Sequence, residues 1–195
     1  MNIKKIKFFD VIAIISMAGI IAWQITDFFG GMFIFLLSYS AIILPIIILY
    51  IISFFETIIS IIKRGVKNSK IKLIAHTIVL IAIIIFNLYH SELFKSKPIL
   101  KAILRDDLFH HTLIFRENGK VENQIQGMFG YEKTYKGIYH FKEDTIIFSK
   151  KPYDNDFIPD TLLIDKYQNV IFMYKDKNGH FNKEIEWLNH FKIIN

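Results

Sequence analysis

In the first half of the chain the hydrophobic positions run together; in the second half they alternate with polar ones. Three apolar runs stand out: Phe8 to about Thr26, interrupted only by Asp10, Ser16 and Gln24; Met32 to Ile62; and Leu73 to about Phe94. A helix crossing a bilayer core needs about 20 apolar residues, whereas a helix packed on a water-soluble core keeps a polar face at helical spacing. Ile42–Leu49 and Ile78–Phe86 have almost no such face. The pattern predicts three membrane spans, over about 8–26, 32–55 (with helix as far as 62) and 73–94. The second run is about 46 Å long as a helix, more than one hydrocarbon core and too little for two spans and a turn. A tilt, a kink at Pro45, or extension through the polar Glu56–Ser60 would absorb the excess. Ser16-Met17-Ala18 loosely fits a signal-peptide cleavage pattern, but the apolar run continues past it through Ile20, Ile21 and Trp23, so an uncleaved anchor is expected.

After Lys95-Ser96-Lys97-Pro98 the pattern becomes short alternating runs separated by turn signals. Strands are predicted near 99–105, 111–116, 120–126, 132–141, 145–149, 161–164 and 170–174. Asn118-Gly119 and Asn178-Gly179 are hairpin signals, because both positions of each accept positive φ. The last element, 181–194, is ambiguous: Phe181, Ile185 and Leu188 have helical spacing, while His190–Ile194 suits a strand that closes the sheet. Strands in a meander leave two edges exposed unless the sheet closes on itself. The expected class is therefore an α+β membrane protein: a three-helix membrane domain at 1–97 and a small antiparallel up-and-down β-barrel at 98–195. Within it, Gly137-Ile138-Tyr139 followed by Asp144-Thr145-Ile146 resembles the G-x-Y-x-x-x-x-D-x-I hairpin of lipocalin-like domains in small bacterial envelope proteins. Pro152–Asp160 resembles the stretch that follows it in uncharacterised membrane proteins of the Bacteroidota. The resemblance covers about half of the β domain. It implies a lipocalin-like fold and no particular activity.

Charge changes the picture in one respect. Residues 1–97 carry ten Lys/Arg against four acids, which is the whole net charge of +6, and the β domain is neutral. The bases gather at Lys4, Lys5 and Lys7 and between Lys63 and Lys72, while the loop 27–31 has none. Lys/Arg-rich short loops stay in the cytoplasm, so a cytoplasmic N-terminus and an extracytoplasmic β domain in an inner membrane are expected. The β domain has no basic stripe for nucleic acid. Without cysteine, thiolate catalysis and zinc–thiolate sites are excluded.

Candidate chemistry is thin. Asp10, Glu56 and His76 are ionisable residues inside the apolar runs and functional suspects on that ground; alternatively they sit at the interface, reaching water or pairing with Lys63 and Arg64. Tyr131, Tyr135, Tyr139 and Phe141 share one face of the fourth strand and would line a cavity for an apolar ligand, or simply fill a small barrel. Asp154, Asp156 and Asp160, with Asn155, crowd oxygen ligands suited to a hard cation, though Asx turns beside Pro152 and Pro159 account for the same residues. His110, His111, His140, His180 and His190 lack metal-ligand spacing. There is no nucleophile elbow and no phosphate-binding glycine loop. The reading is a non-enzymatic, cofactor-free envelope protein whose β domain binds a partner protein or a lipid-like ligand. The rival is a membrane effector of nucleotide signalling of the anti-phage type, which the helix-plus-barrel architecture resembles. A transporter subunit would rest on Asp10, Glu56 and His76 alone.

Overall fold

A computed structural model describes residues 7–154 and 157–194. The chain divides into two compact units, Met1–Leu93 and Phe94–Asn195. The first contains α1 (Phe8–Ile25), α2 (Met32–Ser38), α3 (Ser40–Arg64) and α4 (Lys70–His90). Three helical segments, Phe8–Phe29, Ser40–Arg64 and Lys70–His90, are long and apolar enough to cross a membrane. Only 17–28% of their most apolar windows is buried against protein, leaving an apolar surface that water would not tolerate and lipid satisfies. The chain is an α+β membrane protein.

The second apolar run is not one kinked helix. It breaks at Tyr39 (φ −120°, ψ 31°) into α2 and α3, so that α3, about 37 Å long, matches a bilayer by itself. Pro45 lies within α3. Gly30 and Gly31, both at positive φ, turn the chain ahead of α2, and the Trp23 indole N–H donates to the carbonyl of Met32 across that turn at 3.0 Å. The buried positions of α1 include Ala13, Ser16 and Ile20; those of α3 are Ile43, Ser53, Thr57 and Ser60. Small and hydroxyl side chains at these positions let backbones approach, as membrane helices require.

The second unit is a closed antiparallel barrel in chain order. Its strands are β1 (Pro98–Arg105), β2 (Phe109–Arg116), β3 (Lys120–Gly127), β4 (Glu132–Lys142), β5 (Thr145–Lys150), β6 (Thr161–Asp165), β7 (Val170–Phe172) and β8 (His190–Ile194). Gly119 (φ 74°), Glu143 (φ 55°) and Asn169 (φ 57°) supply the left-handed turn positions between neighbouring strands. Asn178-Gly179 turns a much smaller loop, bridged by Lys175 and Phe181, outside the barrel wall. The helical spacing at Phe181–Leu188 yields no helix. Asn182 and Asn189 hydrogen-bond the backbone of Glu184 and Glu186 instead, a local competition that these side chains commonly win. The ambiguous last element is a strand only in its final part, where β8 pairs with both β7 and β1.

An eight-stranded barrel is just wide enough for side chains to fill. Leu113, Phe115, Val121, Ile146, Leu162, Ile171 and Phe191 are fully excluded from solvent inside it, and Ile158, from the β5–β6 connection, joins them. That connection crosses β4 at Gly137, where an added Cβ would lie 2.4 Å from the carbonyl oxygen of Lys150 and 2.8 Å from the nitrogen of Pro152. Both atoms are backbone and cannot rotate away. Gly137→Ala is expected to destabilise the barrel by about 1–3 kcal/mol, a fall of several degrees or more in the melting temperature, read by thermal unfolding of the whole chain.

Candidate functional site

In the membrane unit, two of the three ionisable residues singled out from the sequence, Glu56 and His76, take partners across the seam between α3 and α4. The Glu56 carboxylate is paired with Lys72, whose side chain is almost wholly buried, and not with Lys63 or Arg64. His76, one turn along α4 from Lys72, places Nε2 3.2 Å from Thr57 Oγ1 and 3.5 Å from Ser53 Oγ. The Thr57 hydroxyl donates to the Ser53 carbonyl at 2.7 Å, so His76 Nε2–H donates to Thr57 Oγ1. His76 Nδ1 is buried and meets no donor among the described residues. Ser60 and Ser69 hydroxyls, 2.9 Å apart, complete the polar seam between α3 and α4. Asp10 is separate: it accepts the backbone N–H of Lys7 at 3.0 Å and caps α1. The sequence reading missed Ser53, Thr57 and Lys72. Their signal was positional, since Glu56/Lys72, Thr57/His76 and Ser60/Ser69 lie roughly equidistant from Gly65, as partners on two helices joined by a tight turn must.

In the barrel, the aromatics on the inward face of β4 are spread along the strand. Tyr131 and Phe141 lie near opposite ends of the strand, on the order of 30 Å apart at strand rise. Tyr131 packs edge-on against Phe109, with ring centroids 6.2 Å apart. Tyr139 is core: its ring sits 4.9 Å from that of Phe115 and its hydroxyl donates to the Arg116 carbonyl at 2.9 Å. Burial raises the Tyr139 pKa above the ordinary value. Phe141 is 42% exposed at the strand's end. Tyr135 donates to Asp154 Oδ2 at 2.8 Å and has Lys133 Nζ 4.6 Å over its ring. Burial, the first of several causes, raises the Tyr135 pKa.

The acidic residues of the β5–β6 connection are drawn into separate contacts. Asp154 serves Tyr135, with Lys133 at 4.0 Å, and Asp160 pairs with Lys151 at 3.2 Å. Asp156 lies outside the described residues. Among the described residues no three His, Asp or Glu side chains converge as a ligand set.

Two buried polar features of the barrel were not evident in the sequence. Arg116, 2% exposed, donates to Glu122 Oε2 at 3.0 Å and to the Ser96 carbonyl at 2.8 Å, while Lys95 Nζ reaches the same Glu122 oxygen at 3.0 Å. This triad ties the chain leading into β1 onto β2 and β3. Inside the barrel, Asn123 is wholly buried opposite Tyr135, and neither atom of its amide has a partner among the described residues. His111 Nδ1, near it on β2, is likewise unpartnered, its ring 5.2 Å from that of Phe157 and 5.8 Å from that of Tyr153.

The arrangement offers binding surfaces and proton-holding groups. No family model, curated protein or solved structure matches the chain.

Two outcomes follow for stability. Burial holds the His111 pKa below its ordinary 6.5, with His110 acting in the same direction and Asp106 opposing. The unfolded chain then takes up a proton at higher pH than the folded barrel, so stability is fully present above about 6.5 and falls as pH drops through the folded-state pKa. Thermal melts from pH 7.5 to 5 should show that slope in the wild type, and a shallower one in His111→Gln. Removing the carboxylate of the triad takes its charge partner from the buried Arg116 guanidinium, and Glu122→Ala should cost about 3–5 kcal/mol, measured as the loss in melting temperature of the barrel.

Proposed function

We propose that this chain is a non-enzymatic membrane-anchored binding protein whose barrel stands on the extracytoplasmic side and engages a partner protein or a lipid-like ligand. The observation that carries the reading is the filled interior of the barrel. With Phe115, Ile146, Ile158, Leu162 and Phe191 excluded from solvent within it, recognition falls to the outer wall and the ends. Residues 91–97 connect the barrel to a unit with three segments long and apolar enough to span a membrane. An odd number of spans puts the two termini on opposite sides. The Lys-rich N-terminus and the Lys63–Lys72 loop favour the cytoplasm, which leaves the barrel outside. The neutral barrel fits a surface for protein or lipid better than one for polyphosphates.

Paired reporters fused after residue 195, one active only in the cytoplasm and one only outside it, test the orientation. The external reporter should be active and the cytoplasmic one silent. The reverse would overturn the proposal and favour a signalling effector with a cytoplasmic sensing barrel. Native mass spectrometry of the intact chain, released from its own membrane, should then show a retained ligand or partner.

A further inference from the structure

The seam that closes the barrel is short. β1 and β8 pair only through Lys101–Ile103 against Ile194–Lys192. Beyond that, Leu104 and Arg105 stay paired to β2, and His190 and Phe191 stay paired to β7, but the two strands no longer meet each other. In the fork lies an open cleft of about 340 Å³, at the small end of the range for ligand sites. Ile103, Trp187 and Ile194 give it apolar walls, and Arg105 and Lys192 stand on its lining.

Trp187 is 69% exposed, yet the segment that carries it is firmly built. Asn189, buried, donates from Nδ2 to the Glu184 carbonyl at 2.7 Å and accepts the Glu186 N–H at Oδ1 at 3.0 Å. Its own carbonyl accepts the Met173 N–H at 3.1 Å. The same Oδ1 accepts Nδ1–H of His190 at 2.8 Å, which leaves Nε2 as the free nitrogen of that ring. Leu188, between Trp187 and the clamp, is held at φ 61°, a left-handed conformation that a side-chain-bearing residue rarely adopts. A large aromatic kept out in solvent by a buried clamp and a strained neighbour is a preorganised wall of a site.

The charges indicate the occupant. Neither Arg105 nor Lys192 has an ion-pair or hydrogen-bond partner for its side chain among the described residues, and Glu186 is the acid that shares the cleft with them. Two cations without partners beside an apolar trough match an apolar chain with an anionic head. We infer that the β1–β8 fork binds a single-chain amphiphile whose carboxylate or phosphate head is held by Arg105 and Lys192 and whose tail lies against Trp187 and Ile103. This rests on the proposed binding role of the barrel and gives it a place and a ligand class. The ligand sits on the outer wall, not in the filled interior.

Trp187 is also the reporter. The chain has only two tryptophans, Trp23 and Trp187, so Trp187→Phe isolates the signal of the barrel. The whole chain, in phosphatidylcholine vesicles, is titrated with laurate, with lauroyl lysophosphatidylglycerol and with dodecanol as the uncharged comparison. A saturable emission change is expected with at least one of the two anions and absent from Trp187→Phe. It should weaken at least about tenfold for dodecanol and in the double variant Arg105→Gln, Lys192→Gln, as loss of charge-assisted contacts implies. A response to laurate assigns a free carboxylate; a response to the lysophospholipid alone assigns a lipid phosphate. The inference is overturned if neither anion gives a change that depends on Trp187, if dodecanol binds as tightly, or if the double variant matches the wild type. Native mass spectra of the same preparations separate the two failures: a retained partner with silent fluorescence removes the cleft and spares the binding role, and a bare chain removes both.

Discussion

Closure of the sheet through β8 is the interaction on which the soluble unit depends. Three residue pairs between β1 and β8 close a meander with two unpaired edges into a barrel. Without them the outer backbone groups of β1 and β8 would face water or another chain. The inward side chains of β1, including Ala102 and Leu104, would lose the cover of Phe191 and Ile193. The closing strand arrives only after a long excursion from β7, which explains why its local structure is set by side-chain clamps such as Asn189 and not by regular pairing. A loop that must deliver a strand to a fixed seam has its end point imposed and its path free.

The membrane unit answers the same demand on backbone polar groups in another solvent. Lipid offers no hydrogen bonds, so each spanning segment satisfies its backbone within its own helix, and association is left to small and polar side chains. The α3–α4 seam uses hydroxyls for this: Thr57 meets the Ser53 carbonyl and His76, and Ser60 meets Ser69. The ion pair of Glu56 and Lys72 belongs to the same seam. Charges placed together there are tolerable because each is partnered, and removing one would leave the other stranded in a medium that penalises it heavily. Ionic contacts in both units are therefore restraints on geometry first, as with Arg116, Glu122 and Lys95 in the barrel.

Much of the architecture was legible in the sequence because it rests on patterns with a fixed period. Continuous apolar runs located the three spans, and period-two alternation with turn residues such as Asn118-Gly119 located most of the strands. At Gly137 another backbone crosses β4. Features without periodicity were not legible. The break at Tyr39, between Ser38 and Ser40, has no periodic signature in an apolar run. The irregular path of 181–189 depends on two asparagine side chains that outcompeted a plausible helical spacing. The aromatic face of β4 was readable as a face, but its function was not. One stripe on a strand extends along the barrel: Tyr131 packs on Phe109 and Tyr135 bonds Asp154, while Tyr139 and Phe141 meet edge to face.

Partnered and unpartnered polar groups sort the barrel into structural and exposed chemistry. Inside, the wholly buried amide of Asn123 lacks partners among the described residues, a cost of about 1–3 kcal/mol that the surrounding packing must offset. Leu113 and Tyr135 stand opposite it on the neighbouring strands. At the fork of β1 and β8 the situation is reversed. There the backbone pairing ends, the apolar surface stays open, and Arg105 and Lys192 are exposed without an ion-pair partner among the described residues. A group in water loses nothing by waiting for a ligand, whereas a group in the core destabilises the fold until it is satisfied. The chemistry available for binding thus lies where the barrel's own hydrogen bonding stops, at the outer seam.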